Sequence, residues 1–294
     1  MEAAANVVTE DRERLQRNLD AVDLGSPPRV ELTYGAESDD GLDALAVLDS
    51  SFNPPTRAHL HLLSVAAEKL GISKSLLLLA KQNADKPVLG ASLVQRLEMM
   101  QLVAAAAEPP GSMLCGATAH PLFVDKATAL KALCSDGARV ALLVGFDTWV
   151  RIVDPKYYAE GGLEPALRQI FDAVEVVVAS RDPSSASNLA GAPLSMGEQQ
   201  RVVDSLPAEV TRGRLHFLEN TPEMDKLSSS AIRKALAATA DEATDAGGGA
   251  DASTAAADAT REDGVADSLP AHVREMLPAV LHAYVEAQYL YREG

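Results

Sequence analysis

Four short runs, ALAVLD (44–49), SLLLLA (75–80), RVALLVG (139–145) and VEVVVAS (174–180), are apolar at nearly every position rather than at every second one. A strand with one wet face alternates apolar and polar residues, whereas a strand covered on both faces does not. Stretches with helical spacing lie between and around these runs. Arg57 to Leu70 is stopped by Gly71. A second begins at the N-cap candidate Ser92 and runs to Ala107, before Pro109 and Pro110. A third is capped by Asp125 and reaches Leu133, and a fourth spans Leu163 to Phe171. Met113 to Ala117 and RLHFLE (214–219) supply two further strands, and Ser195 to Leu206 and Ser228 to Leu236 two further helices. Strands that alternate with helices and are buried on both faces predict an α/β fold with a parallel sheet between helical layers.

The flanks differ from this core. Residues 1–43 read as an N-terminal helix (Thr9 to Val22), ended by Pro27 and Pro28, then an extended piece at Val30 to Tyr34 and a polar connector. The α/β domain occupies 44–236. Residues 237–267 are Ala, Gly, Asp, Thr and Ser with almost no large apolar side chain, too little to offset chain entropy, so this segment is expected to be a disordered acidic insertion. Residues 268–294 resume helical periodicity, with Pro270 to Tyr291 expected to pack back on the core.

The formal net charge of -16 over 294 residues argues against a general nucleic-acid-binding surface, which would be basic. It leaves room for a nucleotide ligand, which needs only local cations. The two cysteines, Cys115 and Cys134, have no metal-type spacing and suggest a reducing compartment, not a disulfide framework. No apolar run approaches the ~20 residues of a membrane span, and the polar N-terminus is no secretory signal. A soluble chain of the cytoplasm or nucleus is expected. Homo-oligomerisation is left open.

Two turns carry chemistry. The first is SSFNPPTRAH (50–59), at the C-terminal end of a strand, where parallel sheets place their ligands. Pro55 suits the first turn of a helix, the free N–H groups of that turn attract anions, and Thr56 and His59 share a face at i, i+3. A capping Thr and a solvated His account for the same residues on generic grounds. The second is LSSSAIRKAL (227–236), which offers three hydroxyls and Arg233, a bidentate phosphate donor in type. Ser N-capping with a surface Arg accounts for it equally well.

Together the two turns resemble the signatures of the nucleotidyltransferase superfamily, (H/T)-x-G-H and I-S-S-T-x-I-R. The form S-F-N-P-P-T-x-x-H is similar to the nicotinamide/nicotinic acid mononucleotide adenylyltransferase branch in its fungal form. Thr56-Arg57-Ala58-His59 and Leu227-Ser228-Ser229-Ser230-Ala231-Ile232-Arg233 carry the match. Ser50 and Ala58 stand where the family has glycine, Ser230 where it has threonine, and Asp225 where it often has asparagine. The resemblance implies a Rossmann-like, doubly wound parallel sheet with C-terminal helices, and adenylyl transfer from ATP with Mg2+ to the mononucleotide. It assigns His59 and Thr56 as catalytic, and Ser51, Phe52, Ser228, Ser229, Ser230 and Arg233 alongside them as the ATP site. The mononucleotide falls to Lys86 (with Lys81 as a second base), Phe123, Gly145 and Asp147 of a G-x-D strand end, the stacking aromatics Tyr157 or Tyr158, and Arg181. Two alternatives remain at this level: another transferase of the superfamily using CTP or a different acceptor, and a nucleotide-binding regulatory protein that hydrolyses ATP with little transfer.

Overall fold

The computed structural model describes residues 2–35, 42–81, 90–184, 193–245 and 268–292. Seven strands form one sheet: β1 (Glu31–Tyr34), β2 (Leu42–Asp49), β3 (Ser75–Ala80), β4 (Met113–Thr118), β5 (Cys134–Gly145), β6 (Glu175–Ala179) and β7 (Leu215–Leu218), in the order β1-β4-β3-β2-β5-β6-β7. All neighbours from β4 to β7 run parallel. The six parallel strands follow the doubly wound order in which winding reverses between β2 and β5, which opens a crevice at their C-terminal ends.

Side-chain parity divides the central strand between two cores. Ala46 and Leu48 face a layer built on helices Arg57–Leu70, Leu93–Ala105 and Ser229–Asp245 and on the C-terminal segment. Leu45 and Val47 face the layer of helices Phe123–Leu133, Phe146–Ile152, Leu163–Ala173 and Met196–Asp204. Both faces are dry, as the continuous apolar runs require.

Ser92 caps its helix through a reciprocal box with Gln95, and Gly71 ends Arg57–Leu70 at φ 67°, a left-handed turn that suits a residue without Cβ. Several expectations are corrected. The sheet is mixed, because β1 pairs antiparallel with β4. The segment before residue 44 is therefore part of the sheet, and its helix, Glu2–Ala21, buries Leu15 and Leu19 in the core. Asp125 lies in the first turn of its helix but is not the cap; Leu122 holds that position without a side-chain hydrogen bond. Pro55 stands before the helix, whose N-cap is Thr56.

The helix opened by Ser229 does not stop near Leu236 but continues to Asp245. Residues 237–245 are rich in alanine, hold neither Gly nor Pro, and propagate a helix already nucleated. The rest of the expected insertion, 246–267, lies outside the described residues. The C-terminal run is not one helix. Pro278 divides it into Ala271–Met276, a 3-10 turn at Ala279–Leu281 and His282–Ala287, and Leu277 before it is extended, as a residue preceding proline tends to be. Both cysteines are free, Cys115 buried and Cys134 part-buried. No described helix is long and apolar enough to cross a membrane.

Candidate functional site

Asp49 ends β2 at the centre of the sheet, and the chain turns through 50–55 into the helix Arg57–Leu70. Phe52 takes a left-handed backbone conformation (φ 44°), which an L-residue adopts only when its surroundings demand it. Its fully buried ring provides that demand, lying 5.4 Å from the His59 ring at 58°. Asn53 Oδ1 accepts the N–H of Ala91 at 3.2 Å. The turn is thus fixed by packing and by the segment opening the next helix.

His59 is held by three groups. Its Nδ1 accepts the backbone N–H of Thr56 at 3.0 Å and lies 2.9 Å from the Thr56 hydroxyl, which in turn accepts the His59 backbone N–H at 3.3 Å. An Nδ1 that accepts from an amide carries no proton, so the neutral ring has its hydrogen on Nε2. That hydrogen is directed at Ser50 Oγ, 3.1 Å away. Burial pushes the His59 pKa down to about 4, so the ring is neutral at pH 7 and serves as a hydrogen-bond donor rather than a cation. Thr56, assigned from sequence as a phosphate contact, is 1% exposed and directs its hydroxyl at His59. It orients the imidazole and caps the helix instead of facing the crevice.

The second turn meets the first directly. Ser229 Oγ donates to Pro54 O at 2.7 Å, and Arg233 donates to Asn53 O at 2.7 Å and to Ser230 Oγ at 3.1 Å. Ser228 Oγ accepts the N–H of Ala231 at 3.1 Å and caps the helix. Two stretches 175 and 180 residues apart therefore form one structure at the end of β2. Arg96, which the sequence reading passed over, supports it from below. This 3%-exposed guanidinium donates to Ala91 O at 2.8 Å and to Ser51 O at 3.5 Å. Its signal was present: in the run LVQRLEMM, Arg96 has the helical spacing of the buried residues Met99 and Met100.

The other candidates are distributed along neighbouring strand ends. Gly145 closes β5, and the space where its Cβ would stand is open. Asp147, on the first turn beyond it, pairs with Arg181 after β6 at 3.1 Å, and Gln199 holds the Arg181 backbone through both its N–H and its C=O. Lys126 Nζ lies 4.4 Å over one face of Phe123 and makes a 2.8 Å buried ion pair with Asp49, whose side chain has the parity of Leu45 and Val47. Phe123 thus has one face committed to a cation. Tyr158 donates its hydroxyl to Ile152 O at 2.7 Å, and Tyr157 carries Lys156 over its ring at 4.7 Å, so both are tied to their own segment. Lys81 donates to Leu19 O and Val22 O and so finishes the N-terminal helix rather than lining the crevice. Lys86 lies outside the described residues.

Residues 47–235 match the sequence model of a family described as cytidylyltransferase-like. The Schizosaccharomyces pombe protein named "Putative nicotinamide mononucleotide adenylyltransferase" is 39% identical over 137 residues, 46% of this chain and 53% of that one. The chain therefore matches about half the length of this curated relative. Among solved structures, Plasmodium falciparum nicotinic acid mononucleotide adenylyltransferase complexed with NaAD aligns with a TM-score of 0.51 at 14% identity, covering 85% of this chain and 97% of that chain, a likeness of fold.

Proposed function

The chain belongs to the cytidylyltransferase-like family, and from that premise we propose that it transfers the adenylyl group of ATP to nicotinamide or nicotinate mononucleotide, releasing pyrophosphate. One observation carries this reading: Ser229 and Arg233 are bonded to Pro54 and Asn53, so both phosphate-type turns converge beside the crevice between β2 and β5. The name of the Schizosaccharomyces pombe relative, which specifies nicotinamide mononucleotide and adenylyl transfer, supports this reading.

In this reaction a phosphate oxygen of the mononucleotide attacks the α-phosphorus of ATP, and the bond to the bridging oxygen breaks, leaving its electrons on pyrophosphate. No covalent intermediate with the protein is needed. Catalysis then rests on alignment and on donors directed at the departing charge. His59 contributes its Nε2 hydrogen without giving up a proton. Ser228 and Ser230, whose Oγ atoms accept within the turn and keep their hydrogens, present hydroxyls to the triphosphate, Ser229 offers a helix-end N–H while its hydroxyl holds Pro54 O, and Arg233 brings positive charge. Ser51 and Phe52 contribute turn backbone, and Thr56 fixes the imidazole. Magnesium would be held by the triphosphate itself, with few protein ligands required, and would supply charge neutralisation on its oxygens. On the acceptor side the open flank of Gly145 admits the ribose, Asp147 accepts its hydroxyl hydrogens, Arg181 holds Asp147 in place, and Tyr157 or Tyr158 supplies a ring for the pyridine to stack on, with the part-buried Phe123 as the other wall.

The test is dinucleotide formation by purified protein with ATP, Mg2+ and each mononucleotide in turn. Wild type is expected to form it, and His59→Ala to lose at least ~100-fold in kcat, the scale of a lost transition-state donor. ATP binding or hydrolysis with no dinucleotide from either acceptor would overturn the proposal in favour of a regulatory nucleotide-binding protein.

A further inference from the structure

We propose that Ser50 is itself a catalytic residue, passing the hydrogen bond of His59 on to a phosphate oxygen of the nucleotide; this rests on the function proposed above. The argument begins with the proton count. His59 is neutral near pH 7 and has one ring hydrogen, because Nδ1 is occupied as an acceptor by Thr56. That hydrogen, on Nε2, is already directed at Ser50 Oγ at 3.1 Å. For His59 to touch a phosphate directly it has to release Ser50. A second route keeps the bond. Ser50 Oγ accepts from Nε2 and still owns a hydroxyl hydrogen, and His59 is its one side-chain partner among the described residues.

Position favours the second route. Ser50 is the first residue beyond β2, with its N–H bonded to Leu78 O at 3.3 Å, so it stands at the C-terminal end of the central strands, where the doubly wound order opens its crevice. Ser50 and His59 are both part-buried, neither sealed in the core nor free in solvent. A hydroxyl that accepts a hydrogen bond is polarised into a stronger donor. The His59–Ser50 pair can therefore present one polarised O–H to phosphate where a lone imidazole would present one N–H. Only hydrogen bonds are made, and no proton changes owner. Thr56, by contrast, is excluded from this role because its hydroxyl is buried and directed at Nδ1.

The experiment measures kcat, both KM values and the MgATP dissociation constant for full-length wild type, Ser50→Ala, Ser50→Thr, His59→Ala and the double Ser50→Ala/His59→Ala variant. The expected result is a loss of ~10-fold or more in kcat for Ser50→Ala, recovery to within a few-fold in Ser50→Thr, and a double variant no worse than His59→Ala. Ser50→Ala with kcat within ~2-fold of wild type, or a double variant that loses the product of the single losses, overturns the proposal. If Ser50→Ala fails to fold, Ser50→Cys keeps the shape with a much weaker donor and is held to the same criteria. If wild type forms no dinucleotide, the transfer reading falls separately and MgATP affinity decides for Ser50. A weakening of ~5-fold or more, restored by Ser50→Thr, supports it, and an unchanged affinity overturns it.

Discussion

Thr56→Val separates two roles that look alike in the sequence. Valine is nearly isosteric with threonine, so at a 1%-exposed site it opens no cavity and removes only the hydroxyl. That hydroxyl makes two bonds. It accepts the His59 backbone N–H at 3.3 Å, an N-cap bond worth about 1 kcal/mol. It also lies 2.9 Å from His59 Nδ1, a hydroxyl–imidazole bond worth about 1 kcal/mol net. The loss in stability should be about 2 kcal/mol, a fall in Tm of about 4–8 °C for a domain of this size class, read by urea and thermal unfolding. Catalysis should suffer less. The Thr56 N–H still reaches Nδ1 at 3.0 Å and keeps the hydrogen on Nε2, so kcat should drop by ~10-fold or less while the KM for ATP stays level. Thr56→Ser should restore both. A raised KM for ATP with unchanged stability would mean that the hydroxyl binds phosphate, and would refute the assignment of Thr56 as the residue that orients His59.

Two further outcomes concern His59 and the Asp49–Lys126 pair. His59 titrates at about 4 in the folded protein and at an ordinary 6.5 when unfolded, so between these values the unfolded chain binds more protons. His59 should cost nothing above pH 6.5, remove stability progressively as pH falls toward 4, and contribute a loss of about 2–3 kcal/mol by then; a His59→Gln variant with the same pH slope as wild type in urea unfolding between pH 6.5 and 4 would contradict this. Lys126→Met should strand the Asp49 carboxylate and destabilise the protein by about 3–5 kcal/mol, with Asp49→Leu/Lys126→Met recovering most of it; equal stability of the single and double variants would show that the ion pair is not what the Lys126 side chain contributes.

The near-continuous apolar runs revealed the parallel strands because burial on both faces leaves a mark in consecutive residues. Caps and stops were equally local: Ser92 with Gln95, and Gly71 with its left-handed turn, are each written within a few positions. Pro278 was visible too, yet its effect was misjudged, since apolar spacing on both sides of it suggested one helix where the ring imposes a break. The extension to Asp245 was missed for the opposite reason: scarcity of large apolar side chains says little about a segment that only prolongs a helix anchored elsewhere. In the site, residue types and order were legible, but partners were not. Nothing in SSFNPPTRAH says whether the Thr56 hydroxyl faces phosphate or imidazole, or that Ser50 rather than solvent receives the His59 hydrogen.

By itself, then, the sequence determined an α/β chain with two phosphate-type turns at strand ends, because propensity, burial pattern and capping act over short separations. The tertiary structure alone decided the antiparallel placement of β1, the bonds that join Ser229 and Arg233 to Pro54 and Asn53, the burial of Arg96 beneath them and the direction of each hydrogen on His59. Those features depend on atoms brought together across as many as 180 residues. Each donor there settles on whichever acceptor packing places within about 3 Å, and that choice is made in space, not along the chain.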